Sequence, residues 1–331
     1  MYLSARPGGP IPDKMAGVPG IQITPAQPDD ADQLRPRREQ WADGGDPKAL
    51  LARPSAQSVL DAVVRRSEGV IVARTADGKV AGFGRLHSWT EEDRTVVHLL
   101  EDWTLPGPGR AAAQRALLSG LADLVGDQYA TPHSVLAVNG DPADRERTEL
   151  LHRLGYRFVF EVVELELGAW PGARPMPEKI STRSVRPEDA DAITDLTNRV
   201  WTGRPHYTPL SYEDGRGWLS RVDPELFLLA EQDGQIVGLV ATKINNVVAE
   251  IDDVQVAPAW QRRGIASALL TRSLERIRDR TRLPIRLLTG ADDAAGARSL
   301  YESLGFTPAA RHGRYRKPLP TNDSRSGGNN R

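Results

Sequence analysis

The chain has 331 residues, 39% of them hydrophobic and 26% charged, which is enough apolar surface for packed cores and excludes a wholly disordered or fibrous protein. With 43 Lys and Arg against 44 Asp and Glu the formal net charge is −1, so nothing in the overall charge draws nucleic acid or an anionic membrane. Cysteine is absent, which eliminates thiol nucleophiles, disulfides and cysteine-ligated metals, and the six His form no HExxH-type cluster, so no metal is expected.

The N-terminus, MYLSARPGGPIPDK, has no apolar signal-peptide core, and no later run approaches the roughly 18 apolar residues of a membrane span. A cytoplasmic protein without a membrane partner, monomeric or homodimeric, is expected. Residues 1–20 and 319–331 are rich in Gly, Pro and polar residues and are expected to be a disordered leader and tail. A Pro- and Gly-rich break over 169–179 has the composition of a linker between domains at 21–168 and 180–318.

In the first half a strand is predicted at 21–25, followed by DDADQL, an apolar helix near 57–65 and the strand GVIVART. Ala76-Asp77-Gly78-Lys79 forms a hairpin turn before VAGFGRL; VVHLLEDWTLP then leads to a long helix from Arg110, the strand SVLAVNG and a helix ending LHRLGYRF. The second half repeats this order. A strand at 180–186 precedes a helix opened by Pro187, and another helix follows near 211–221. FLLAEQDGQIVGLVATKI turns at Gln232-Asp233-Gly234-Gln235, and VVAEIDDVQVAP adds a third consecutive strand. Ala266, Leu269, Leu270, Leu274 and Ile277 share one helical face; a strand at 284–289, a helix at 294–304 and one or two closing strands at 306–317 complete the series. Leu154-Gly155-Tyr156 lies 150 positions before Leu304-Gly305-Phe306, and Pro106 lies 152 before Pro258, so the chain holds an internal repeat of about 150 residues.

Val254-Gln-Val-Ala-Pro-Ala-Trp-Gln-Arg-Arg-Gly-Ile-Ala266 leaves a strand, crosses a short loop and opens a helix, the arrangement in which free amides and the helix dipole bind an anion. Gly264 and the small Ala266 leave room for a phosphate, and Gln261, Arg262 and Arg263 add side-chain donors. Gln261-Arg262-Arg263-Gly264-Ile265-Ala266 resembles the cofactor motif of the GNAT-superfamily acyltransferases. The likeness is reinforced by the strand exit before it and by Ala297-Arg-Ser-Leu-Tyr-Glu-Ser-Leu-Gly-Phe306 about 35 residues later. It covers about 175–318.

The resemblance implies an α/β (α+β) protein of two tandem GNAT-like domains, each a mixed, mostly antiparallel central sheet flanked by helices. It further implies acetyl-CoA as the acyl donor. Val254 and Val256 would pair through their backbones with its pantetheine arm, and the amides from Arg262 through Gly264, Ile265 and Ala266 to Ser267 would hold its pyrophosphate. Tyr301 matches the family Tyr near the thioester sulfur; a core aromatic is the alternative. Many relatives carry Asn where this chain has Ala294, preceded by Asp292 and Asp293.

An acceptor amine with a pKa near 10.4 is about one part in a thousand neutral at pH 7, so attack requires a proton acceptor. EIDDVQV carries three carboxylates, and unbroken alternation places Glu250 and Asp252 on the face of Val254 with Asp253 opposite. Glu250 stands where some family members hold their general base; Asp252 or Asp253 is left to bind the cationic acceptor or to relay through water. Trp201, His206 and Tyr207, with Tyr212, Glu213 and Asp214, are the expected acceptor wall, or else ordinary packing aromatics.

Aligned from Pro106, the first half places Ala112 opposite Gly264, Gln114 opposite Ala266 and Leu151 opposite Tyr301. That half is expected to be degenerate, and the second to transfer an acetyl group to an amine of a small molecule by direct attack through a tetrahedral intermediate. The alternatives are a non-catalytic acyl-CoA sensor and a protein or peptide N-acetyltransferase.

Overall fold

Turns bearing Gly, Asp and Pro break the chain where its hydropathy pattern changes, and the elements between them follow in a doubled order. The computed structural model describes residues 15–34, 42–43, 45, 48–51, 69–292 and 296–319. The first series is β1 (Met15–Val18), β2 (Ile21–Pro25), α1 (Asp30–Leu34), β3 (Ala42–Asp43), β4 (Val70–Thr75), β5 (Val80–Thr90), β6 (Val96–Thr104), α2 (Arg110–Gln128), β7 (Ser134–Gly140), α3 (Arg145–Arg153) and β8 (Arg157–Leu167). The second is β9 (Ser181–Ser184), α4 (Ala190–Trp201), α5 (Tyr212–Leu219), β10 (Phe227–Gln232), β11 (Gln235–Ile244), β12 (Ala249–Val256), α6 (Ile265–Arg280), β13 (Ile285–Gly290), α7 (Ala297–Ser303) and β14 (Phe306–Pro318).

Two compact units result. One takes residues up to 47, 52–161 and 311–331; the other takes 48–51 and 162–310. In the first, β1, β2, β4, β5 and β6 pair antiparallel in sequence, β6 pairs parallel with β7, and Gly313–Pro318 of β14 pairs antiparallel with β7. The apolar face of α2, including Leu117, Leu118 and Leu121, packs with Ile71, Leu100 and Leu136 of this sheet.

In the second unit β9, β10, β11 and β12 pair antiparallel, β12 pairs parallel with β13, and β13 pairs antiparallel with Val162–Glu166 of β8. The β10–β11 turn needs two left-handed residues, and Asp233 and Gly234 supply φ of 50° and 79°. Leu269, Leu270, Leu274 and Ile277 of α6 bury one face of the sheet together with Leu228, Val240 and Ile251. Helices α4 and α5 cover the other face, where Ile193, Leu196 and Leu219 meet Phe227, Leu229 and Leu239. The sheet therefore lies between helices, a mixed and mostly antiparallel arrangement of the expected class.

Three local expectations change. Residues 15–18 of the expected leader form β1, because Gly20 at φ +83° permits a tight return into β2. Leu319, the first residue of the expected tail, is buried and donates its amide to Ser134. The break over 169–179 lies against the second unit: the Ala169 amide donates to Gly305, and Arg278 sits 4.3 Å above the Trp170 ring. The helix expected near 57–65, Asp293 and Ala294 lie outside the described residues, as do 1–14 and 320–331.

Candidate active site

Strands β12 and β13 run parallel only as far as the pairing of Ile251 with Leu287, and beyond it β12 keeps β11 as its one strand partner. A wedge opens there. The Ala257 amide donates to the Val237 carbonyl on the β11 side, so ladder parity turns the backbone groups of Val256 and Val254 the other way, into the wedge. The Gln261 amide side chain already donates to the Val256 carbonyl at 3.0 Å, so this residue braces the strand exit.

Helix α6 begins at the mouth of this wedge. Arg262 and Gly264 have φ of 61° and 85°, and the resulting loop turns the chain into the helix. The first helix-closing bond there runs from the Ala268 amide to the Gly264 carbonyl, which leaves the amides of Arg262, Arg263, Gly264, Ile265, Ala266 and Ser267 without acceptors among the described residues. A Cβ on Gly264 would meet nothing closer than the Ser267 hydroxyl at 4.0 Å, so the space over the amides is open. Arg263 stacks over Trp260 at 4.7 Å, and the Ser267 hydroxyl donates to the Gly264 carbonyl. Six donors beside a positive helix end fit a pyrophosphate, and the unpaired strand edge fits an amide-bearing arm.

Simple alternation fails on β12. Ala241 pairs with Asp253 but Thr242 pairs with Ile251, so Asp252 is the extra residue of a β-bulge. The bulge turns Asp253 onto the face of Glu250 and Gln255 and leaves Val254 on the α6 face with Ile251, so Asp253 joins Glu250 instead of opposing it, while Asp252 stays within reach of the same lysine as Glu250. The three carboxylates thereby acquire different surroundings. The Lys243 ammonium lies 3.0 Å from Glu250 and 2.9 Å from Asp252. Burial opposes its charge, but the two carboxylates outweigh that and raise its pKa. Burial raises Glu250 above the ordinary carboxylate range against the pull of Lys243. Asp253 has no cationic partner among the described residues; loss of water pushes it up to about 6, opposed by a hydrogen bond from the Gln255 amide at 2.5 Å and assisted by the charge of Asp252.

Tyr301, on α7, is buried edge-on to Phe306, and burial followed by the charge of Asp253 raises its pKa, so its hydroxyl keeps its proton at neutral pH. On the α4 side the Thr197 hydroxyl donates to the side-chain Oε1 of Gln255 at 3.1 Å, and Trp201 follows one helical turn later on the same face. Trp201 stacks with Tyr207 at 6.4 Å, and Arg204 lies over the Trp201 ring. Asn198 holds the loop shut: it exchanges hydrogen bonds with the backbone of Leu210 and accepts the Tyr207 hydroxyl. His206 is exposed, at φ 64°. Tyr212 donates to Asp195 and so ties α5 to α4. Sequence reasoning missed Lys243, Gln255 and Thr197; hairpin register pointed to the first, since Lys243 stands opposite Glu250, but no local signal marked the other two.

The first unit has a corresponding break between β6 and β7, whose parallel pairing starts at Val96 with Ser134 and ends at Leu99 with Ala137. Gly109 at φ +101° precedes α2 as Gly264 precedes α6, so Gly109, not Ala112, is the structural counterpart of Gly264. Gln114 then lies within the helix, buried, rather than over the phosphate position. Beyond the last paired residues Arg147 binds Asp102 of β6 at 2.9 and 2.5 Å and the Asn139 carbonyl of β7 at 3.3 Å, so an ion pair spans the break. The positions matching Asp102 and Arg147 in the second half are Val254 and Ala297. Among the described residues no helix is long and apolar enough to cross a membrane.

Residues 190–306 match the Acetyltransferase (GNAT) family. A protein of Thermomonospora curvata named mycothiol acetyltransferase is 28% identical over 282 residues, 82% of this chain and 89% of that one. One of the same name from Clavibacter michiganensis subsp. michiganensis is 30% identical over 224 residues, 64% and 70% of the two chains. The crystal structure of a GCN5-related N-acetyltransferase from Sphaerobacter thermophilus superposes with a TM-score of 0.71 at 21% identity, covering 92% of this chain and 98% of that one. A tandem GNAT protein from the clavulanic acid biosynthesis pathway gives 0.66 at 15%, with 91% and 99% covered. With its doubled fold, its motif at the head of α6 and its homology to the mycothiol acetyltransferases, the chain belongs to the GNAT family and is an N-acetyltransferase of the tandem kind.

Proposed function

We propose that the second unit transfers an acetyl group from acetyl-CoA to an amine of a small molecule, and that the first unit is a non-catalytic partner. The observation that carries this reading is the set of six unclaimed amides from Arg262 to Ser267 beside the unpaired edge of β12. Acetyl-CoA supplies the activated acetyl thioester. The α6 amides hold its diphosphate, the backbone groups of Val254 and Val256 orient its arm, and Tyr301 stands ready to give a proton to the departing sulfur. A phenol donating to a thiol of pKa near 8.5 works uphill, so positioning the sulfur is the larger part of its role.

A carboxylate of β12, Glu250 or Asp253, takes the proton from the amine, while the Trp201–Tyr207 stack forms a wall for the acceptor. Relatives named mycothiol acetyltransferases support a small-molecule acceptor. The ion pair across the first unit's break, and Leu151 at the position of Tyr301, support a single catalytic unit.

Isothermal titration of acetyl-CoA into the intact protein and into R263E/G264D tests the reading, with thiol release in the presence of a panel of primary amines as the second readout. One site per chain, lost in the variant, with amine-dependent release of CoA, is expected. Two sites, or binding that survives the substitutions, overturns the assignment to the second unit. Binding without turnover of any amine identifies a sensor instead.

A further inference from the structure

The three carboxylates of β12 look alike in sequence, but the bulge at Asp252 separates them. Glu250 and Asp252 share a counter-charge, Lys243. Asp253 has none among the described residues, and a half-buried carboxylate kept without a cation is costly unless something else uses it. It is also held in one orientation. The Thr197 hydroxyl donates to Gln255 Oε1 at 3.1 Å, and Gln255 Nε2 donates to Asp253 Oδ2 at 2.5 Å. Gln255 and Thr197 are themselves buried, so the chain from α4 to the carboxylate is shielded from water, and among the described residues Gln255 is the one side chain that donates to Asp253. On the other side the carboxylate is close enough to Tyr301 for its charge to act on the phenol.

We propose that Asp253, oriented by the Thr197–Gln255 chain, is the group that receives the proton of the attacking amine; this rests on the acetyl-transfer reading above. The amine nitrogen bonds to the acetyl carbon, and its surplus proton passes to Asp253 Oδ1. The carbon–sulfur bond breaks, the sulfur leaves with the bonding pair, and Tyr301 protonates it. Asp253 and Tyr301 then return to their starting states by proton exchange with solvent. The two residues are linked in a useful direction. While Asp253 is ionised its charge holds the phenol's proton; once Asp253 has taken up the amine's proton that charge is gone, and Tyr301 becomes a stronger acid as the sulfur departs. Gln255 and Thr197 are positioning residues. Glu250, already paired with Lys243, contributes its field to the acceptor side.

Among the described residues, the charged and titratable groups facing Asp253 are Asp252 beside it on β12 and Tyr301 on α7; Lys243 on β11 is taken up by Glu250 and Asp252, and α4 presents the uncharged Thr197. The test is steady-state kinetics with acetyl-CoA and whichever primary amine of the panel is turned over, together with 13C NMR titration of Asp-labelled protein. D253N is expected to lower kcat about 100-fold, the scale of a general base, with the KM for acetyl-CoA within twofold of wild type. E250Q is expected to act mainly on the amine's KM. T197V and Q255L are expected to move the acid limb of kcat to higher pH, because each weakens the hydrogen bond that stabilises ionised Asp253. The carboxyl resonance that D253N removes is expected to titrate near pH 6.

D253N retaining kcat within threefold, or E250Q alone abolishing it, overturns the assignment. An Asp253 resonance that titrates with the ordinary aspartates does so too, whatever the activity. Should D253N unfold, T197V and Q255L still decide the matter, since loss of activity at an unmoved acid limb marks a structural role only. Acetyl-CoA binding without turnover of any amine by the wild type instead defeats the acetyl-transfer reading, and the base role falls with it.

Discussion

Arg147 grips Asp102 through both guanidinium nitrogens, and each side chain is only 1–2% exposed. The pair closes in the first unit the break that Val254 and Ala297 leave open in the second. Removing one partner strands a buried charge, whereas replacing both with the residues of the open break removes the charges together. Arg147→Ala is therefore expected to cost about 3–5 kcal/mol, and D102V/R147A much less than the sum of its two single changes. Urea unfolding of the three variants measures this; additive losses would show that the residues do not act as a pair.

His98 on β6 sits between the hydroxyls of Ser88 and Ser134, and burial lowers its pKa from 6.5 to about 4. The folded protein thus binds this proton less tightly than the unfolded chain. No penalty exists above pH 7; it grows as pH falls through 6.5 and levels off near 4, at on the order of 3 kcal/mol. His98→Gln, which keeps a hydrogen-bonding side chain without the titration, is expected to flatten the decline in melting temperature between pH 7 and 4. An unchanged slope would assign the acid sensitivity elsewhere.

Asn198 ties the far end of the loop after Trp201, at Tyr207 and Leu210, to α4. Asn198→Ala frees that loop without touching the α6 amides. Its expected signature is a rise of tenfold or more in the amine's KM, with acetyl-CoA affinity unchanged by titration calorimetry. Equal losses of both affinities would remove the loop from the acceptor wall.

A chain ending at His312 lacks the segment of β14 that pairs with β7. Although the deletion lies at the far end of the sequence, the first unit is the one expected to lose protection. Hydrogen exchange read peptide by peptide should show β7 exchanging rapidly while β10 to β12 stay protected. The reverse pattern would contradict the pairing.

The helices and hairpins were legible because each is encoded locally, as Asp233-Gly234 shows with its two left-handed residues and as Leu269, Leu270, Leu274 and Ile277 show with their period. The loop that turns at Gly264 into α6 was legible for the same reason. Three things were not. The bulge at Asp252 adds one residue to a strand, and no residue type announces that, so a rule of alternation carried Asp253 to the wrong face. The equivalence of Gly109 with Gly264 was hidden because the loops before α2 and α6 differ in length while the proline anchors remain. The destinations of β8 and β14 are pairings between residues more than 100 positions apart, which patterning within a strand cannot specify.

The reach of β14 back to β7 imposes an order on biosynthesis. When the ribosome has finished the first half, β7 still has a bare edge, because its antiparallel neighbour is residues 313–318 and has not been made. The second unit waits for nothing comparable, since Val162–Glu166 precedes the strand that it flanks. The half that is translated first is thus the half completed last, and its sheet keeps an open edge until the final strand is made.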